Sequence, residues 1–214
     1  MPSLRLWVET MTFHSTGQAS SKFLETPSQK RHPIVVLEGL DGTGKSTQVE
    51  LLTDKLNAHH ISTSKLGSVP KTVQQRREAY MDVNHSASNE IARVSRQCPI
   101  VVDRYLASTL SSHFAHFPFY PFSVENWESA YSNAGLVVPS LVINIELDEE
   151  IRGRRLAARD EPLDDYEKRL VTEESFRSCM KAWLRVMSTY TIDATAMTVE
   201  ELHTCIMSHV EGVL

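Results

Sequence analysis

The sequence predicts a three-layer α/β domain built on a parallel sheet of five strands, with helices on both faces. From residue 34 onward, short apolar runs alternate with segments of helical periodicity, the pattern expected of a parallel sheet. These runs are rich in β-branched residues, as is usual for strands that are covered on both faces. Of the 214 residues, 41% are hydrophobic, so a single domain can bury a core.

The strands and the flanking helices can be placed along the chain. The first strand, Ile34 to Glu38, is clear, and the second has a weak pattern. The later strands are expected at residues 61–66, 99–103, 141–147 and 189–193, with helices at about 45–57 and 198–210. The order of these segments places ligands at the carboxyl ends of the strands.

A phosphate-binding motif connects the first strand to the first helix. The eight residues from Gly39 to Ser46 match the pattern of this loop at all four specified positions. Small residues let backbone N–H groups converge on phosphate oxygens at a helix N-terminus. Lys45 is placed to reach the β- and γ-phosphates, and the Ser46 hydroxyl is placed to bind Mg²⁺. The motif predicts a P-loop NTPase fold that binds a nucleoside triphosphate; a glycine-rich turn that matches by chance is the alternative.

Charge and cysteine content limit the kinds of partner. The net charge of −5 and the pI near 6.0 argue against general binding to nucleic acid. No uncharged apolar run approaches the ~18 residues that a membrane span needs. Three widely spaced cysteines, Cys98, Cys179 and Cys205, predict reduced thiols and no disulfide framework. Small nucleotides are therefore the expected partners, with a homodimer left open.

Residues 1–33 differ from the rest and are expected to form an N-terminal extension to the domain at residues 34–214. They are rich in Ser and Thr, and their basic residues are accompanied by Glu9 and Glu25. A mitochondrial presequence is basic and poor in acids, and the segment meets that description only halfway. A disordered tail and a targeting segment both stay open, so the cytoplasm and the mitochondrion are both candidate locations.

A second polar motif, Asp103-Arg104-Tyr105, directly follows the third apolar run. An aspartate at this strand end can hold Mg²⁺-bound water or the acceptor, and an arginine can grip a phosphate with two parallel hydrogen bonds. A plain ion pair at the strand end is the alternative. With a phosphate loop expected on a neighbouring strand, the functional interpretation is favoured.

Three segments of the chain together resemble the thymidylate kinase family of nucleoside monophosphate kinases. They are Leu37 to Gln48, Val102 to Tyr105 with Ser108, and Ile192 to Ala194, and the resemblance covers about residues 33–213. Within that family, Asn84-His85 and Glu90-Ile91 resemble the mitochondrial UMP-CMP kinase 2 branch.

The resemblance implies a role for each matching residue. ATP would be bound by Gly39, Asp41, Gly42, Thr43, Gly44, Lys45, Ser46, Thr47, Asp193 and Ala194, and Mg²⁺ by Ser46 and Asp103. The acceptor nucleotide would be bound by Asp41, Lys71, Tyr80, Asn84, Arg104, Tyr105 and Ser108. Asp41 would face the acceptor sugar and Arg104 the acceptor phosphate. For Asp41 the alternative is to cap the loop by bonding the backbone two residues on.

Tyr80 and Asn84 match the family positions that stack on the acceptor base and read it. They are four residues apart on an expected helix and so share a face. Thymidylate-specific relatives usually carry a donor-only arginine at the second position, whereas Asn84 can donate and accept. The expectation is that Asn84 admits either the amino edge of cytosine or the carbonyl edge of uracil; the alternative is that Asn84 faces solvent.

A cluster of arginines after the fourth strand predicts a short lid. Arg152, Arg154, Arg155 and Arg159 precede the acidic stretch of residues 160–165, and the range 152–165 is called the lid segment below. Phosphoryl transfer needs cations on the transferred group, and some relatives supply an arginine where this chain has Gly42. Arg155 and Arg159 are therefore the expected catalytic arginines, together with Lys45, Arg104 and Asp103. The alternative is an exposed basic helix end paired with nearby acids.

These observations together predict an ATP- and Mg²⁺-dependent kinase. Its acceptor is expected to be a pyrimidine nucleoside 5′-monophosphate, namely dTMP, dUMP, UMP or CMP. One alternative is a deoxynucleoside kinase that uses Glu38 as the base for a 5′-hydroxyl. The other is a catalytically silent nucleotide-binding module, against which the intact Lys45, Ser46 and Asp103 argue.

Overall fold

Five parallel strands form the centre of the computed structural model, which describes residues 31–63, 66, 72–117, 126–159 and 162–214. The strands are β1 (Ile34–Glu38), β2 (His59–Ser62), β3 (Ile100–Asp103), β4 (Leu141–Glu146) and β5 (Tyr190–Asp193). Their order across the sheet is β2-β3-β1-β4-β5. The predicted five-stranded parallel sheet is confirmed, and β1 lies at its centre, where the strand order reverses.

Eight helices occur in the described part of the chain. They are α1 (Lys45–Leu56), α2 (Val73–Val94), α3 (Leu106–His116), α4 (Trp127–Asn133), α5 (Glu149–Ala157), α6 (Asp165–Thr172), α7 (Glu174–Val186) and α8 (Val199–Val210). Capping boxes begin two of the longer ones. Thr72 bonds with Gln75 at the start of α2, and Thr198 bonds with Glu201 at the start of α8.

Two hydrophobic clusters lie on opposite faces of the sheet. Val36 and Val102 point into a cluster completed by side chains of α2, α3, α4, α6 and α7. Val35 and Leu37 point into a second cluster completed by α1 and α8. All five residues of β1 are buried. Because helices cover both faces, the strands carry continuous apolar runs, and the three-layer prediction is confirmed.

The second strand begins and ends earlier than the expected range of 61–66. It pairs with β3 from His59 opposite Ile100 to Ser62 opposite Asp103. Since β3 ends at Asp103, the ladder has no partner to continue along, and β2 ends with it. The other strands and the two expected helices differ from their predicted bounds by no more than about two residues, the usual uncertainty of helix and strand ends.

Two sequence expectations concern features outside the core. The three cysteines are free and half-buried. None of the described helices combines the length and the apolar character needed to cross a bilayer. The expectations for residues 1–30 and for Lys71 lie outside the described residues.

Candidate active site

A cleft of about 990 Å³ lies at the carboxyl ends of β1 and β3. This volume is at the upper end of the roughly 300–1,000 Å³ typical of small-molecule sites. One wall is formed by the phosphate loop with Ala194, Met197 and Leu202, beyond the β4 side of β1. The opposite wall is formed by α2 and α3 and includes Tyr80 and Thr109. The phosphate loop and the α2 and α3 wall therefore face each other across the cleft.

The phosphate loop is fixed by its own side chains and open to an anion. Lys45 Nζ donates to the Leu40 carbonyl at 2.8 Å, and Thr43 Oγ1 donates to the same oxygen at 3.0 Å. Gly44 is the N-cap of α1 and offers no side-chain cap, so the first N–H groups of this helix are available to a ligand. Burial, reinforced by the charge of Arg104, lowers the pKa of Lys45 to about 7 against the pull of its carboxylate neighbours.

Helix α5 packs directly on the phosphate loop at Gly42. A Cβ at Gly42 would lie 3.1 Å from Leu156 Cγ and 3.2 Å from the Arg152 carbonyl oxygen. The φ of Gly42 is also positive, at 87°. A longer side chain, such as the arginine that some relatives carry here, therefore has no room unless α5 shifts.

Arg152 ties the phosphate loop to the helices after β4. Its side chain is fully buried, and it donates to the Asp41 carbonyl at 3.0 Å and to the Leu170 carbonyl at 3.3 Å. Its other hydrogen bonds are to Glu149, which is also paired with Arg177 and Lys181 of α7. Arg152 is thus paired with a nearby acid, as the alternative for the lid segment expected, but it is buried and not exposed.

Arg104 is held in a strained backbone conformation that turns its side chain onto the phosphate loop. Its φ is +64°, in the left-handed region, which costs about 1–3 kcal/mol for a residue other than glycine. Its N–H donates to the Leu37 carbonyl, and its own carbonyl accepts from Thr63 Oγ1. The guanidinium donates to Gly39 O at 3.0 Å and to Asp41 Oδ1 at 2.5 Å.

Asp41 is therefore paired across the loop and does not cap it. Burial alone would raise the pKa of Asp41, but Arg104, Lys45 and Arg159 outweigh burial and lower it to about 2. The same carboxylate, with Glu38 and Asp103, raises the pKa of Arg104 despite burial. Asp41 is thus an anion that orients the arginine expected to hold the acceptor phosphate.

Two further carboxylates, on the last residues of β1 and β3, differ in what they face. Asp103 lines the cleft, and its buried Oδ1 has no hydrogen-bond partner among the described residues. Glu38 is fully buried, and its carboxylate accepts from the N–H groups of Tyr105 and Ser108 and from the Ser108 hydroxyl. Burial raises the pKa of Glu38 in spite of these donors. Glu38 holds the start of α3 and does not reach the cleft.

Three residues expected to bind ligands support the cleft instead: Gly39 and Asp193 lie outside its lining, and Tyr105 lines it but is fully buried. The Tyr105 ring is fully buried and packs against Tyr131, with 5.2 Å between ring centroids. Asp193 lies outside the cleft lining, and its carboxylate accepts from the Thr195 N–H at 3.0 Å. Gly39 supports the loop from behind, where a Cβ would run into the carbonyl oxygen of Ile145. These three residues support the walls of the site.

The largest correction concerns Asn84. Its side chain is fully buried, so both direct base reading and the solvent-facing alternative are wrong in this conformation. Asn84 Nδ2 donates to Thr109 Oγ1 at 3.0 Å, and Thr109, not Asn84, lines the cleft. Tyr80, one turn earlier on α2, does line the cleft as expected.

The two expected catalytic arginines both lie at the cleft. Arg155 Nη1 is 3.5 Å from the position that a Cβ on Gly44 would take, which places this guanidinium over the phosphate loop. Arg159 also lines the cleft and pairs with Glu167 of α6 at 2.8 Å. Their roles in catalysis stay predictions.

Other cleft residues did not emerge from the sequence. They include Arg76, Arg77, Ser112, His113, His116 and Tyr166. A signal was present in α3, where polar residues recur at helical spacing after Ser108. Burial, together with the charge of Arg77, lowers the pKa of His113 to about 4, so this imidazole is neutral near pH 7.

Comparison with known proteins agrees with this geometry. The family model for thymidylate kinase matches residues 37–206. The chain belongs to the thymidylate kinase family. It is therefore a nucleoside monophosphate kinase. The thymidylate kinase of Schizosaccharomyces pombe is 24% identical to it over 206 residues, which cover 86% of this chain and 94% of that protein.

Two solved kinase structures have a fold similar to that of this chain. Thymidylate kinase from Candida albicans, whose structure is described as revealing the origin of broad substrate specificity, superposes with a TM-score of 0.65 at 21% identity. That match covers 85% of this chain and 92% of the other. Deoxyadenosine kinase from M. mycoides with bound dATP superposes with a TM-score of 0.61 at 15% identity, covering 84% and 100%. At these identities, both matches show a similarity of fold alone.

Proposed function

We propose that this kinase transfers the γ-phosphoryl group of ATP, with Mg²⁺, to a pyrimidine nucleoside 5′-monophosphate and releases the diphosphate. The acceptors considered are dTMP, dUMP, UMP and CMP. The last two enter through the resemblance of Asn84-His85 and Glu90-Ile91 to UMP-CMP kinase 2. The phosphate loop is the donor site, and the α2 and α3 wall is the acceptor site.

One observation carries the proposal, namely the ion pair between Asp41 of the phosphate loop and Arg104 at the end of β3. It joins the donor site to the residue proposed for the acceptor phosphate. Lys45 also lines the cleft, so cations face the place where two phosphates would meet. In-line transfer between two nucleotides requires such convergence, because the negative charges must be neutralised and aligned.

The described residues can perform this transfer without a strong base. The acceptor phosphate is already ionised, so catalysis depends on orientation and on charge neutralisation. We assign Lys45 to the β- and γ-phosphates, Arg104 to the acceptor phosphate, and Arg155 and Arg159 to the transferred group. Tyr80 is assigned to stacking on the acceptor base.

Mg²⁺ fits the residues present. Asp103 offers a buried carboxylate oxygen that has no partner among the described residues, and the Ser46 hydroxyl is exposed in the same cleft. Mg²⁺ is typically held by one or two protein oxygens together with phosphates and water. When bound, it would neutralise charge on the triphosphate. No described group of three or more His, Cys, Asp or Glu residues suits another metal ion.

A deoxyadenosine kinase shares this fold, but the described residues do not place a catalytic base where a deoxynucleoside kinase needs one. A 5′-hydroxyl acceptor needs a carboxylate within hydrogen-bond reach of the proton that it loses. Glu38, the candidate in the sequence, is buried under three donors from the start of α3. The arrangement therefore favours a monophosphate acceptor.

A substrate panel tests the proposal. Purified protein is incubated with Mg·ATP and each of dTMP, dUMP, UMP, CMP and dCMP, and in parallel with the matching nucleosides, while ADP release is followed. We expect turnover with monophosphates only, and a loss of several orders of magnitude in Lys45→Ala, because Lys45 neutralises charge in the transition state. Turnover of nucleosides with none of the monophosphates would establish the deoxynucleoside kinase instead. If no acceptor leads to ADP release, the protein is the catalytically silent nucleotide-binding module.

A further inference from the structure

A second, smaller cavity of about 180 Å³ lies beside the cleft, where α6 faces the start of α2 and the end of α3. We call it the side pocket. It is far smaller than the roughly 300–1,000 Å³ typical of sites for drug-sized ligands, so it suits a small ion better than a nucleoside. Arg76, His116 and Tyr166 line both the side pocket and the cleft, whereas Lys45 and Arg104 line only the cleft.

Two arginines at the side pocket are held on aromatic rings. The guanidinium carbon of Arg76 lies 5.5 Å from the centroid of Tyr166, and that of Arg169 lies 4.1 Å from the centroid of Phe176. The two rings contact each other edge to face at 5.9 Å, so the two stacks are neighbours. Stacking uses the face of a guanidinium, and its N–H groups, which lie in its plane, can still donate. Donors that are already held lose little entropy when they bind a ligand.

Acids neutralise this pair of arginines only in part. Among the described residues, Arg76 has the contact with Tyr166 and no ion pair. Arg169 donates from Nε to Glu173 at 2.8 Å, which leaves its two terminal nitrogens to a ligand. The one acid in the described lining, Asp165, is exposed and pairs with Lys168. The N-terminus of α2 also lies at the side pocket and adds partial positive charge. The pocket therefore favours an anion.

His116 adds an acceptor to these donors. Its Nδ1 lies 2.7 Å from the Ser112 carbonyl oxygen, which can only accept, so Nδ1 carries a hydrogen. Burial lowers the pKa of His116 in spite of this bond, and the charges of Arg169 and Arg76 lower it further, so the ring is neutral near pH 7. Nε2 then has a lone pair, and no described residue donates to it. Inorganic phosphate carries at least one proton at neutral pH and can donate it to Nε2 while its other oxygens accept from the arginines.

We propose that the side pocket binds inorganic phosphate, with Arg76 and Arg169 donating to its oxygens and His116 Nε2 accepting from its hydroxyl. The phosphate ester of a nucleotide offers similar oxygens, but it has mostly lost its last proton at pH 7. A bound phosphate would link α6, which begins at the end of the lid segment, to the acceptor wall formed by α2 and α3. The proposal goes beyond the phosphoryl transfer proposed above and does not depend on it.

Calorimetric titration with inorganic phosphate at constant ionic strength tests the side pocket. Because the phosphate loop can also bind phosphate, ADP is kept at saturation, and any phosphate bound elsewhere in the cleft is common to all variants. Arg169→Gln and Arg76→Gln should each weaken the binding at least about tenfold, since each removes a charged hydrogen bond to the anion. The matched control is Lys168→Gln, which removes the same charge one residue away and outside the lining, and it should keep the affinity of the wild type.

Two results would overturn the proposal at this step. One is that Arg169→Gln binds phosphate as tightly as the wild type. The other is that Lys168→Gln weakens the binding as much as Arg169→Gln, because the effect then comes from net charge and not from a built pocket.

A parallel titration with dTMP, also with ADP at saturation, separates the two sources of a phosphate group. Arg169→Gln should leave the affinity for dTMP unchanged while it weakens the binding of inorganic phosphate. If it weakens dTMP binding alone, the side pocket is an extension of the acceptor site and the proposal is wrong. Failure of the proposed function would appear as absent turnover in the substrate panel, and it would leave the phosphate titration unaffected.

Discussion

Arg152→Met should destabilise the protein far more than the same change two residues away. Methionine retains much of the apolar stem of Arg152 and removes the buried guanidinium that joins the phosphate loop to α5 and α6. The matched control is Arg154→Met, because Arg154 lies on the same helix and is exposed. Both variants lose one positive charge, so their difference reports the buried contacts.

The expected magnitude follows from which partners are left unpaired. The Asp41 carbonyl loses the donor that the structure shows for it, at a cost of about 1–3 kcal/mol. The Leu170 carbonyl keeps a donor in Arg177, and Glu149 keeps its ion pairs with Arg177 and Lys181, so neither group is left unpaired. Losing the charged hydrogen bonds to Glu149 adds about 1.5–3 kcal/mol, reduced by the partial exposure of that carboxylate. We therefore expect a loss of about 3 kcal/mol.

Chemical denaturation and thermal melting measure this loss. For a chain of this length, about 3 kcal/mol corresponds to a fall in Tm of roughly 6–12 °C. Arg154→Met should stay within about 0.5 kcal/mol of the wild type. If Arg152→Met is within about 1 kcal/mol of Arg154→Met, the buried network does not hold the loop as described.

Three further predictions concern the phosphate loop and the lid segment. The pKa of Lys45 is lowered from 10.5 to about 7, so Lys45 is mostly neutral at pH 8 and ATP binding at that pH should take up nearly one proton. Calorimetry in buffers of different ionisation enthalpy measures this uptake, which should be absent in Lys45→Met. Gly39→Ala should cost at least about 2 kcal/mol in denaturant unfolding, because its Cβ meets a backbone carbonyl at a φ of 139°, while Gly153→Ala, in open space on α5, should be neutral or stabilising. Arg155→Ala should lower kcat by about 10²-fold or more with little change in nucleotide affinity. Arg159→Ala should lower kcat less, because Arg159 is paired with Glu167. If both single variants and the double variant keep wild-type turnover, the lid arginines have no part in catalysis.

The same Lys45 pKa also has a consequence for the free protein. Between pH 7 and 10.5 the unfolded chain keeps a proton on Lys45 that the folded chain has lost. Since the unfolded state binds more protons in this window, the contribution of Lys45 makes stability rise with pH there. Below pH 7 both states are protonated, and the full cost of burying the charge remains.

The parts of the site that the sequence predicted depend on residues close together in the chain. The phosphate loop needs only a strand, a run of small residues and a helix start, and all three are contiguous around Gly42. The position of Arg104 follows from its place directly after an apolar run. Parallel strands bring their carboxyl ends to one edge, so these two motifs had to meet once the sheet was parallel.

The parts that the sequence missed depend on tertiary contacts. Arg152 bonds to the Asp41 carbonyl, 111 residues earlier, and no local pattern separates it from the exposed Arg154. The prediction that Asn84 lies at the cleft came from its match to a family position and from its spacing of four residues from Tyr80. Its burial had a signal, since Met81, Asn84, Ala87 and Ile91 recur at helical spacing on the buried face of α2.

The most direct measurement of the central claim uses a single compound that joins adenosine to a pyrimidine nucleoside through a polyphosphate chain. If the phosphate loop and the Arg104 side are donor and acceptor halves of one cleft, this compound should occupy both. It should inhibit competitively against ATP and against the monophosphate, with an affinity at least about 10²-fold above that of either nucleotide. Competition with ATP alone, at an affinity no better than that of ATP, would contradict the claim that Asp41 and Arg104 join two nucleotide sites.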